Sequence, residues 1–266
     1  FRAPHWSPGH TTKDETEGTQ TMDNVQNTSR VAVITGASSG IGAATARAFA
    51  ASGHRVALLA RRHDRIDALA AELGNGSIAI QTDVTDRDSL VAAAQHVQDD
   101  LGGADVLVNN AGGMLLGPFS TEQHRDYRAM IEANLLGAIT ATEVFLDQLK
   151  DGGGSDIVNI SSVAGRTARA GNGVYAATKW GIKGWSESLR QELLPRIRVT
   201  LIEPGVVDTE LPTHITHEAT REEVQKGYDA ATVKPEEIAE IIDFVLARPR
   251  HLAINEVLIR PADQLG

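Results

Sequence analysis

The chain has 266 residues, a formal net charge of -10 and no cysteine. Disulfides, thiolate catalysis and zinc–thiolate sites are therefore excluded, and the acidic balance argues against general binding of nucleic acid or of anionic membranes. Apolar residues make up 41% of the chain but aromatic residues only 4%, so the core must consist mainly of Ala, Val, Ile and Leu. Such residues suit parallel strands that are covered by helices on both faces.

Residues 1–29 are rich in Thr, Pro, Gly and acidic residues and show no apolar period. This composition predicts a flexible N-terminal tail, followed by a single domain over 30–266. His5 and His10 in the tail are interpreted as solvated side chains, and no metal site is predicted. We find no apolar run of membrane-spanning length and no signal-peptide core, which predicts a cytoplasmic protein without a membrane partner.

From Arg30 onward, strand-like and helix-like segments alternate. The predicted strands are Val31–Thr35, Arg55–Ala60, Ser77–Thr82, Asp105–Val108, Ile157–Ser161, Ile197–Ile202 and Ile254–Ile259. The predicted helices are Ala43–Ala51, Asp64–Leu73, Asp86–Asp100, one or two helices over Glu122–Lys150, then Val174–Leu194 and Pro235–Ala247. Repeated strand–helix units predict an α/β fold, a three-layer sandwich around a doubly wound, parallel, seven-stranded sheet.

A glycine-rich turn, Thr35-Gly36-Ala37-Ser38-Ser39-Gly40-Ile41-Gly42, joins the first strand to the first helix. Glycines let a pyrophosphate approach the main-chain N–H groups, and the helix N-terminus adds partial positive charge. An ordinary tight turn would look similar, but the position between the first strand and an Ala-rich helix favours a nucleotide site. A phosphate-transfer P-loop is excluded because no Lys-Ser or Lys-Thr pair follows.

Arg61 and Arg62 follow the second strand, and residues 58–63 contain no Asp or Glu. An acidic residue near this point accepts from the ribose 2′-OH of NAD, whereas an arginine pairs with the 2′-phosphate of NADP. The pair therefore favours NADP(H) as the cofactor. The alternative is that both arginines are simply solvated at the start of a helix.

Tyr175 and Lys179 are four residues apart in a predicted helix, so their side chains share one face. Three other segments are predicted to end at the same carboxyl edge of the sheet: Ser162 after strand five, Asn109–Gly112 after strand four, and Pro204-Gly205 after strand six. Open α/β sheets bind ligands at this edge. These segments are therefore expected to converge on one crevice.

With these motifs in order, the sequence resembles the short-chain dehydrogenase/reductase family in its single-domain, Rossmann-like branch. The match covers roughly residues 30–260. It is carried by Thr35–Gly42, Asp83-Val84, Asn109–Gly112, Asn134, Ser162, Tyr175, Lys179 and Pro204-Gly205 through Thr209. The resemblance implies an oxidoreductase that moves a hydride between a nicotinamide and a carbonyl or alcohol carbon.

The resemblance also implies catalytic roles. Tyr175 would be the general acid in carbonyl reduction and the general base in alcohol oxidation. Lys179 would lower the pKa of that phenol through its charge and would bind the nicotinamide ribose. Ser162 would donate to the substrate oxygen, with Ser161 a buried structural hydroxyl, and Asn134 would hold a water that links Lys179 to solvent. For Asn134 the alternative is a buried amide that caps or bends its helix.

On the cofactor side, Asp83 and the Val84 backbone would meet the adenine, although Asp83 could instead be a cap or turn residue ahead of the next helix. Asn110 would brace the sheet beside the adenosine ribose, and Thr209 with the Val207 backbone would hold the carboxamide. The residues expected to bind the cofactor are Gly36, Ser38, Ser39, Gly40, Ile41, Gly42, Arg61, Arg62, Asp83, Val84, Asn110, Ala111, Gly112, Tyr175, Lys179, Pro204, Gly205, Val207 and Thr209.

Residues 208–234 correspond to the family's variable lid. His214, His217 and Arg221 could meet an acidic or polar substrate, or could simply face solvent. The lid and the C-terminal segment resemble a bacterial subgroup that includes NADP-dependent 3-hydroxy acid (serine-type) dehydrogenases and clavulanic-aldehyde reductases, which suggests a small polar hydroxy acid, ketone or aldehyde. The family also implies a homo-oligomer, a tetramer or dimer built through the long helices.

Two other functions remain open. The chain could bind NADP as a regulatory or structural protein without turnover, but the complete set of Ser162, Tyr175 and Lys179 argues against this. It could also catalyse a non-redox reaction such as elimination or dehalogenation. Family members of that kind typically lose the glycine-rich turn, and this chain keeps it.

Overall fold

The computed structural model describes residues 29–151, 154–230 and 232–264. The strands are β1 (Val31–Thr35), β2 (Arg55–Ala60), β3 (Ile78–Gln81), β4 (Val106–Asn109), β5 (Ser155–Ile160), β6 (Ile197–Pro204) and β7 (Glu256–Ile259). The helices are α1 (Gly40–Ala51), α2 (His63–Leu73), α3 (Arg87–Leu101), α4 (His124–Met130), α5 (Gly137–Asp151), α6 (Gly173–Leu193), α7 (Glu218–Ala230) and α8 (Pro235–Leu246). The predicted tail lies outside the described residues, apart from Ser29.

The seven strands form one parallel sheet in the order β3-β2-β1-β4-β5-β6-β7. The order reverses between β1 and β4, so the chain leaves these two strands in opposite directions and opens a crevice at their carboxyl ends. The predicted three-layer, doubly wound fold is confirmed, and the crevice lies where ligands bind in such sheets.

Alternate residues of each strand face opposite layers. Ile34 of β1 packs in one cluster with Phe49 of α1 and Ile242 of α8. Val33, its neighbour in β1, packs on the other face with Val97 of α3 and Phe145 of α5. Helices on both faces explain why the strands are almost continuously apolar rather than alternating.

Some element boundaries differ from the prediction. Helix α1 begins at Gly40, inside the glycine-rich turn, and β5 begins at Ser155, because pairing with β6 extends through Ser155 and Asp156. Asp86 caps α3 by accepting from the Asp88 amide. Helix α7 was not predicted at all.

Helical structure is continuous from α4 to α5 through a π-helical segment, Ile131–Leu136. The stretch His124–Leu149 is long and apolar enough, by length and composition alone, to cross a membrane, so the prediction that no run reaches that length was wrong. In the fold it is a core helix, since Phe145 and Leu149 are buried against Leu107 of β4 and Ile157 of β5. Burial accounts for part of its apolar composition, since 33% of the apolar window is buried in the fold.

Candidate active site

The glycine-rich turn brings main chain to the crevice at the end of β1. Gly36 has φ +67, and a Cβ there would lie 2.8 Å from Ala111 Cα. A Cβ on Gly42 would lie 2.5 Å from Asn110 Nδ2 and 2.6 Å from the Gly36 carbonyl oxygen. The turn therefore requires glycine at both positions. It presents bare backbone at the N-terminus of α1, a cradle that fits the pyrophosphate of a dinucleotide.

Asn110 holds this turn in place. Its Nδ2 donates to the carbonyl oxygens of Thr35 (3.0 Å) and Gly36 (3.2 Å). The Thr35 hydroxyl accepts from the amides of Asn110 and Ala111. The ends of β1 and β4 are thereby joined at the switch point, which agrees with a bracing role for Asn110.

The two arginines after β2 lie in different surroundings. Arg61 is exposed, whereas Arg62 donates to Ser38 Oγ at 2.8 Å, to Ser39 Oγ at 2.7 Å and to Glu210 at 2.8 Å. Hydrogen bonds from Arg62 and Arg65 lower the pKa of Glu210 to about 2. Arg62 therefore links the glycine-rich turn to the segment after β6.

Asp83 follows β3 at the same edge. Its carboxylate accepts from the Thr85 amide at 2.9 Å and from the Thr85 hydroxyl at 2.8 Å. Partial burial opposes ionisation, but these hydrogen bonds and the charge of Arg61 outweigh it, so the pKa of Asp83 is lowered. The carboxylate thus stabilises a turn, the alternative that the sequence left open, and it also lies near the arginine predicted to read a 2′-phosphate.

Ser162 and Tyr175 meet beside the crevice. Ser162 follows β5 and its Oγ accepts from the Ala164 amide at 3.1 Å, at the start of a short 3-10 turn. It is also hydrogen bonded to the Tyr175 hydroxyl. Because the amide occupies one lone pair of Oγ, the serine proton can be directed to another oxygen. Ser161 instead donates to the Lys179 carbonyl and is 3% exposed, so it is the structural hydroxyl of the pair.

Lys179 lies one helical turn after Tyr175 on α6, and both are buried. Its Nζ donates to the Ile160 carbonyl oxygen at 2.9 Å and lies 5.7 Å from the centre of the Tyr175 ring. Burial lowers the pKa of Lys179 from 10.5 to about 8. The side chain therefore keeps its proton at neutral pH.

The electrostatics of Tyr175 differ from the sequence prediction. Burial raises the pKa of Tyr175, and its hydrogen bond with Ser162 opposes this effect without reversing it. The expected lowering of this pKa by Lys179 is not observed, because the Tyr175 ring is buried and the Lys179 ammonium is hydrogen bonded to the Ile160 carbonyl oxygen. A phenol with a raised pKa stays protonated at neutral pH, the form that can donate a proton to a carbonyl oxygen.

Asn134 lies within the π-helical segment, and its side chain is fully engaged. Oδ1 accepts from the Gly113 amide at 2.7 Å, while Nδ2 donates to the Gly113 carbonyl oxygen and to Thr178 Oγ1. Asn134 therefore ties α6 to the loop after β4. These contacts agree with the alternative of a buried structural amide, and the role of Asn134 toward a water stays a prediction.

The other residues predicted to bind the cofactor lie at or after the carboxyl ends of β3, β4 and β6. The Thr209 methyl lies over Gly40, where a Cβ would be 3.0 Å away. Val207 is buried and pairs with Val233 in an isolated bridge. Val84 packs against Gly137, and Gly112 lies against the side chain of Asn134. Pro204 ends β6, and Gly205 follows it with its amide bonded to Ile259.

A cavity lies beside Tyr175, and the residues that line it were not predicted from the sequence. The loop after β4 and helix α4 contribute apolar side chains to a cavity of about 330 Å³ beside Tyr175. The apolar run Met114-Leu115-Leu116 directly after Asn109–Gly113 was the available signal. Tyr228 of α7 also packs with Tyr175, and burial raises the pKa of its hydroxyl. The side chains of His214, His217 and Arg221 do not line this cavity.

A sequence model of the short chain dehydrogenase family matches residues 30–220. The chain belongs to the short-chain dehydrogenase family. The predicted family, the Rossmann-like fold and the assignment to oxidoreductases that act on CH–OH groups are thereby confirmed.

Relatives of this dehydrogenase agree in sequence and in structure. It is 37% identical over 237 residues to a serine 3-dehydrogenase of Agrobacterium fabrum, covering 87% of this chain and 94% of that one. The closed form of a serine dehydrogenase complexed with NADP+ superposes with a TM-score of 0.82 at 32% identity, covering 89% and 96%. An alcohol dehydrogenase of the archaeon Thermococcus sibiricus, complexed with 5-hydroxy-NADP, gives a TM-score of 0.80 at 32% identity, covering 89% and 98%.

Proposed function

We propose that this dehydrogenase is an NADP(H)-dependent carbonyl reductase or alcohol dehydrogenase in which Tyr175 transfers the proton. The observation that carries the proposal is the arrangement of Tyr175, Ser162 and Lys179: a buried, protonated phenol hydrogen bonded to a serine, with a protonated lysine one turn away on the same helix. The set lies next to a backbone cradle of the right shape for a pyrophosphate.

The preference for NADP(H) rests on the residues after β2. No carboxylate occupies 58–63, and Arg61 and Arg62 follow β2, where an arginine favours the 2′-phosphate of NADP. Two structural neighbours bind NADP or 5-hydroxy-NADP, which supports the same choice. Ser38 and Ser39 add two hydroxyls beside Arg62.

The chain's own residues account for the proton chemistry. The bound nicotinamide supplies or takes up the hydride. In reduction, Tyr175 donates its proton to the substrate oxygen, while the Ser162 hydroxyl donates a hydrogen bond to the same oxygen and stabilises its developing charge. Lys179 favours the phenolate left behind until solvent restores the proton. In oxidation, the phenolate accepts the alcohol proton.

Substituting Tyr175 tests this assignment. Tyr175→Phe should lower kcat about a hundred- to ten-thousandfold, the usual contribution of a general acid, while NADPH fluorescence still reports cofactor binding. Tyr228→Phe is the matched variant, since it removes a second tyrosine hydroxyl from the same apolar cluster. If Tyr175→Phe retained substantial turnover, or if both variants lost activity equally, Tyr175 would not be the proton donor.

A small polar hydroxy acid as substrate has the support of the serine 3-dehydrogenase relative. The cavity beside Tyr175 does not favour it, because its lining is mostly apolar. The proposal is therefore confined to carbonyl and alcohol groups, with L-serine as one substrate to be assayed. No observation favours an NADP-binding protein without turnover.

We also propose a cytoplasmic homo-oligomer, either a dimer or a tetramer. Leu136 and Trp180 lie on the long helical layer and are 53% and 51% exposed. Large apolar side chains in such positions are typical of contacts between subunits. Light scattering of the purified protein would give the number of subunits, and a monomer would contradict this part of the proposal.

A further inference from the structure

The cavity beside Tyr175 is lined mostly by apolar side chains. Its volume is about 330 Å³. The loop after β4, helix α4 and the start of α6 supply its apolar side chains, which are Leu115, Leu116, Phe119, Tyr127, Met130 and Val174. An engineered apolar cavity of about 150 Å³ takes up benzene. The space beside Tyr175 is thus large enough for a phenyl group or a medium-length alkyl chain.

The polar atoms of these walls already have partners. The Tyr127 hydroxyl accepts from the Ser120 amide at 3.0 Å and donates to Gln123 Oε1 at 3.3 Å. The sulfur of Met130 accepts from the Leu115 amide at 3.4 Å. Tyr127 and Met130 therefore offer a ligand a ring face and methyl or methylene groups rather than unsatisfied donors or acceptors. Asn172 also lines the cavity, and its Oδ1 accepts from the Arg169 amide at 2.8 Å.

The charge of the lining does not match an amino acid. Among the described residues that line the cavity, Arg169 has the only charged side chain, and it lies at the exposed rim. No carboxylate lines the cavity to balance the ammonium group of a serine. A buried ammonium without a partner is costly, so the walls disfavour substrates with that group.

Two aromatic rings form one side of the cavity. Phe119 stacks on Tyr127 with ring centroids 5.5 Å apart and an angle of 6° between the planes. Phe119 is 88% exposed, which is unfavourable for a phenyl ring unless a ligand covers it. On the lid, Leu211, Ile215 and Val224 join the same apolar cluster as Tyr175, so the lid side chains that pack toward Tyr175 are apolar as well.

From this lining we propose that the substrate is a ketone or aldehyde, or the matching alcohol, that bears an aryl or medium-length alkyl substituent and no ammonium group. The inference rests on the proposed function and adds the class of substrate. The carbonyl oxygen lies at Tyr175 and Ser162, and the substituent lies against Phe119 and Tyr127. Hydride addition to the carbonyl carbon and proton transfer from Tyr175 to its oxygen give the alcohol.

The test compares substrates of increasing apolar size. NADPH oxidation is followed with butane-2,3-dione, a homologous series of 2-alkanones and acetophenone; NADP+ reduction is followed with 1-phenylethanol and L-serine. Each added methylene should raise kcat/KM about fourfold until the cavity is filled, as expected for burial of a CH₂ group. L-serine should be at least about a hundredfold poorer than 1-phenylethanol in kcat/KM.

A pair of phenylalanine variants tests whether the preference for apolar substrates arises in this cavity. Phe119→Ala should reduce the preference for acetophenone over butane-2,3-dione about two- to tenfold, the value of one aromatic contact. Phe244→Ala serves as the control, because it removes an exposed ring of α8 that packs on Arg248, away from this cavity. Fluorine NMR of fluorotoluene, which cannot react, gives a readout independent of turnover: its signal should broaden with the wild type and less with Phe119→Ala.

The outcomes separate the two proposals. If no carbonyl or alcohol in the panel is turned over although NADPH binds, the proposed function fails. If butane-2,3-dione or L-serine is turned over but kcat/KM does not rise along the alkanone series, the reaction class stands and the apolar substrate is refuted. An equal effect of Phe119→Ala and Phe244→Ala would also refute the assignment to this cavity.

Discussion

The buried lysine of the site should destabilise the folded dehydrogenase. Burial lowers the pKa of Lys179 from 10.5 to about 8. At about 1.4 kcal/mol per pKa unit, this difference corresponds to a folding cost of about 3 kcal/mol for the charged side chain. Replacement by methionine keeps an unbranched chain of similar length on α6 and removes the charge. It also leaves the Ile160 carbonyl oxygen without its donor, which costs about 1–3 kcal/mol at every pH.

The pH dependence separates these two contributions. Below pH 8 the lysine is protonated in both the folded and the unfolded chain, so the cost of burying the charge is fully present. Between pH 8 and 10.5 the unfolded chain binds the proton and the folded chain does not, so the free energy of unfolding of the wild type rises with pH. Relative to Lys179→Met, the wild type should therefore gain up to about 3 kcal/mol across this window.

Urea unfolding, followed by circular dichroism at about pH 7 and about pH 10, measures this change. Lys226→Met is the control, because Lys226 lies exposed on α7, and its difference from the wild type should stay nearly constant. Lys179→Met should also lose turnover. A difference between wild type and Lys179→Met that did not change with pH would refute the inference that a buried charge opposes folding here.

Two further predictions concern ion pairs. Asp156→Ala should lower the free energy of unfolding by about 3–5 kcal/mol, because the buried Asp156 pairs with the buried Arg198 as well as with Arg30 and Arg250. Urea unfolding measures this loss, and Asp156→Asn separates loss of charge from loss of shape. A loss below about 1 kcal/mol would contradict the predicted cost of leaving the buried Arg198 unpaired. Glu210→Gln should tighten NADPH binding about two- to fivefold at low salt and leave NADH binding unchanged, because it removes a carboxylate that competes with a 2′-phosphate for Arg62. A fluorescence titration measures both affinities. Weaker NADPH binding by the variant would mean instead that Glu210 positions Arg62.

The sheet and the proton-transfer residues could be predicted from the sequence because their patterns are local. Short β-branched runs alternate with Ala-rich helices, and Tyr175 and Lys179 share a helical face through their spacing alone. Glycine positions such as Gly36 are set by backbone geometry, which permits no other residue. In each case the residues that determine the local structure lie within one short stretch of sequence.

Features that depend on tertiary contacts could not be predicted in this way. The raised pKa of Tyr175 results from burial by several elements, and the pairing of Arg62 with Glu210 joins residues 148 positions apart. Helix α7 was missed because its sequence is mostly polar, and its apolar residues Val224 and Tyr228 pack only against the distant cluster around Tyr175. The apolar substrate cavity likewise arises from three separated segments.

Helix α7 covers the site without being part of the core, since none of its 13 residues is buried. Segments with so little buried surface open locally at a small fraction of the free energy needed to unfold the sheet. Amide protons of α7 therefore exchange with solvent long before those of β1 or β4. Changes of sequence in α7 therefore carry little risk for the sheet and for the residues that transfer the proton.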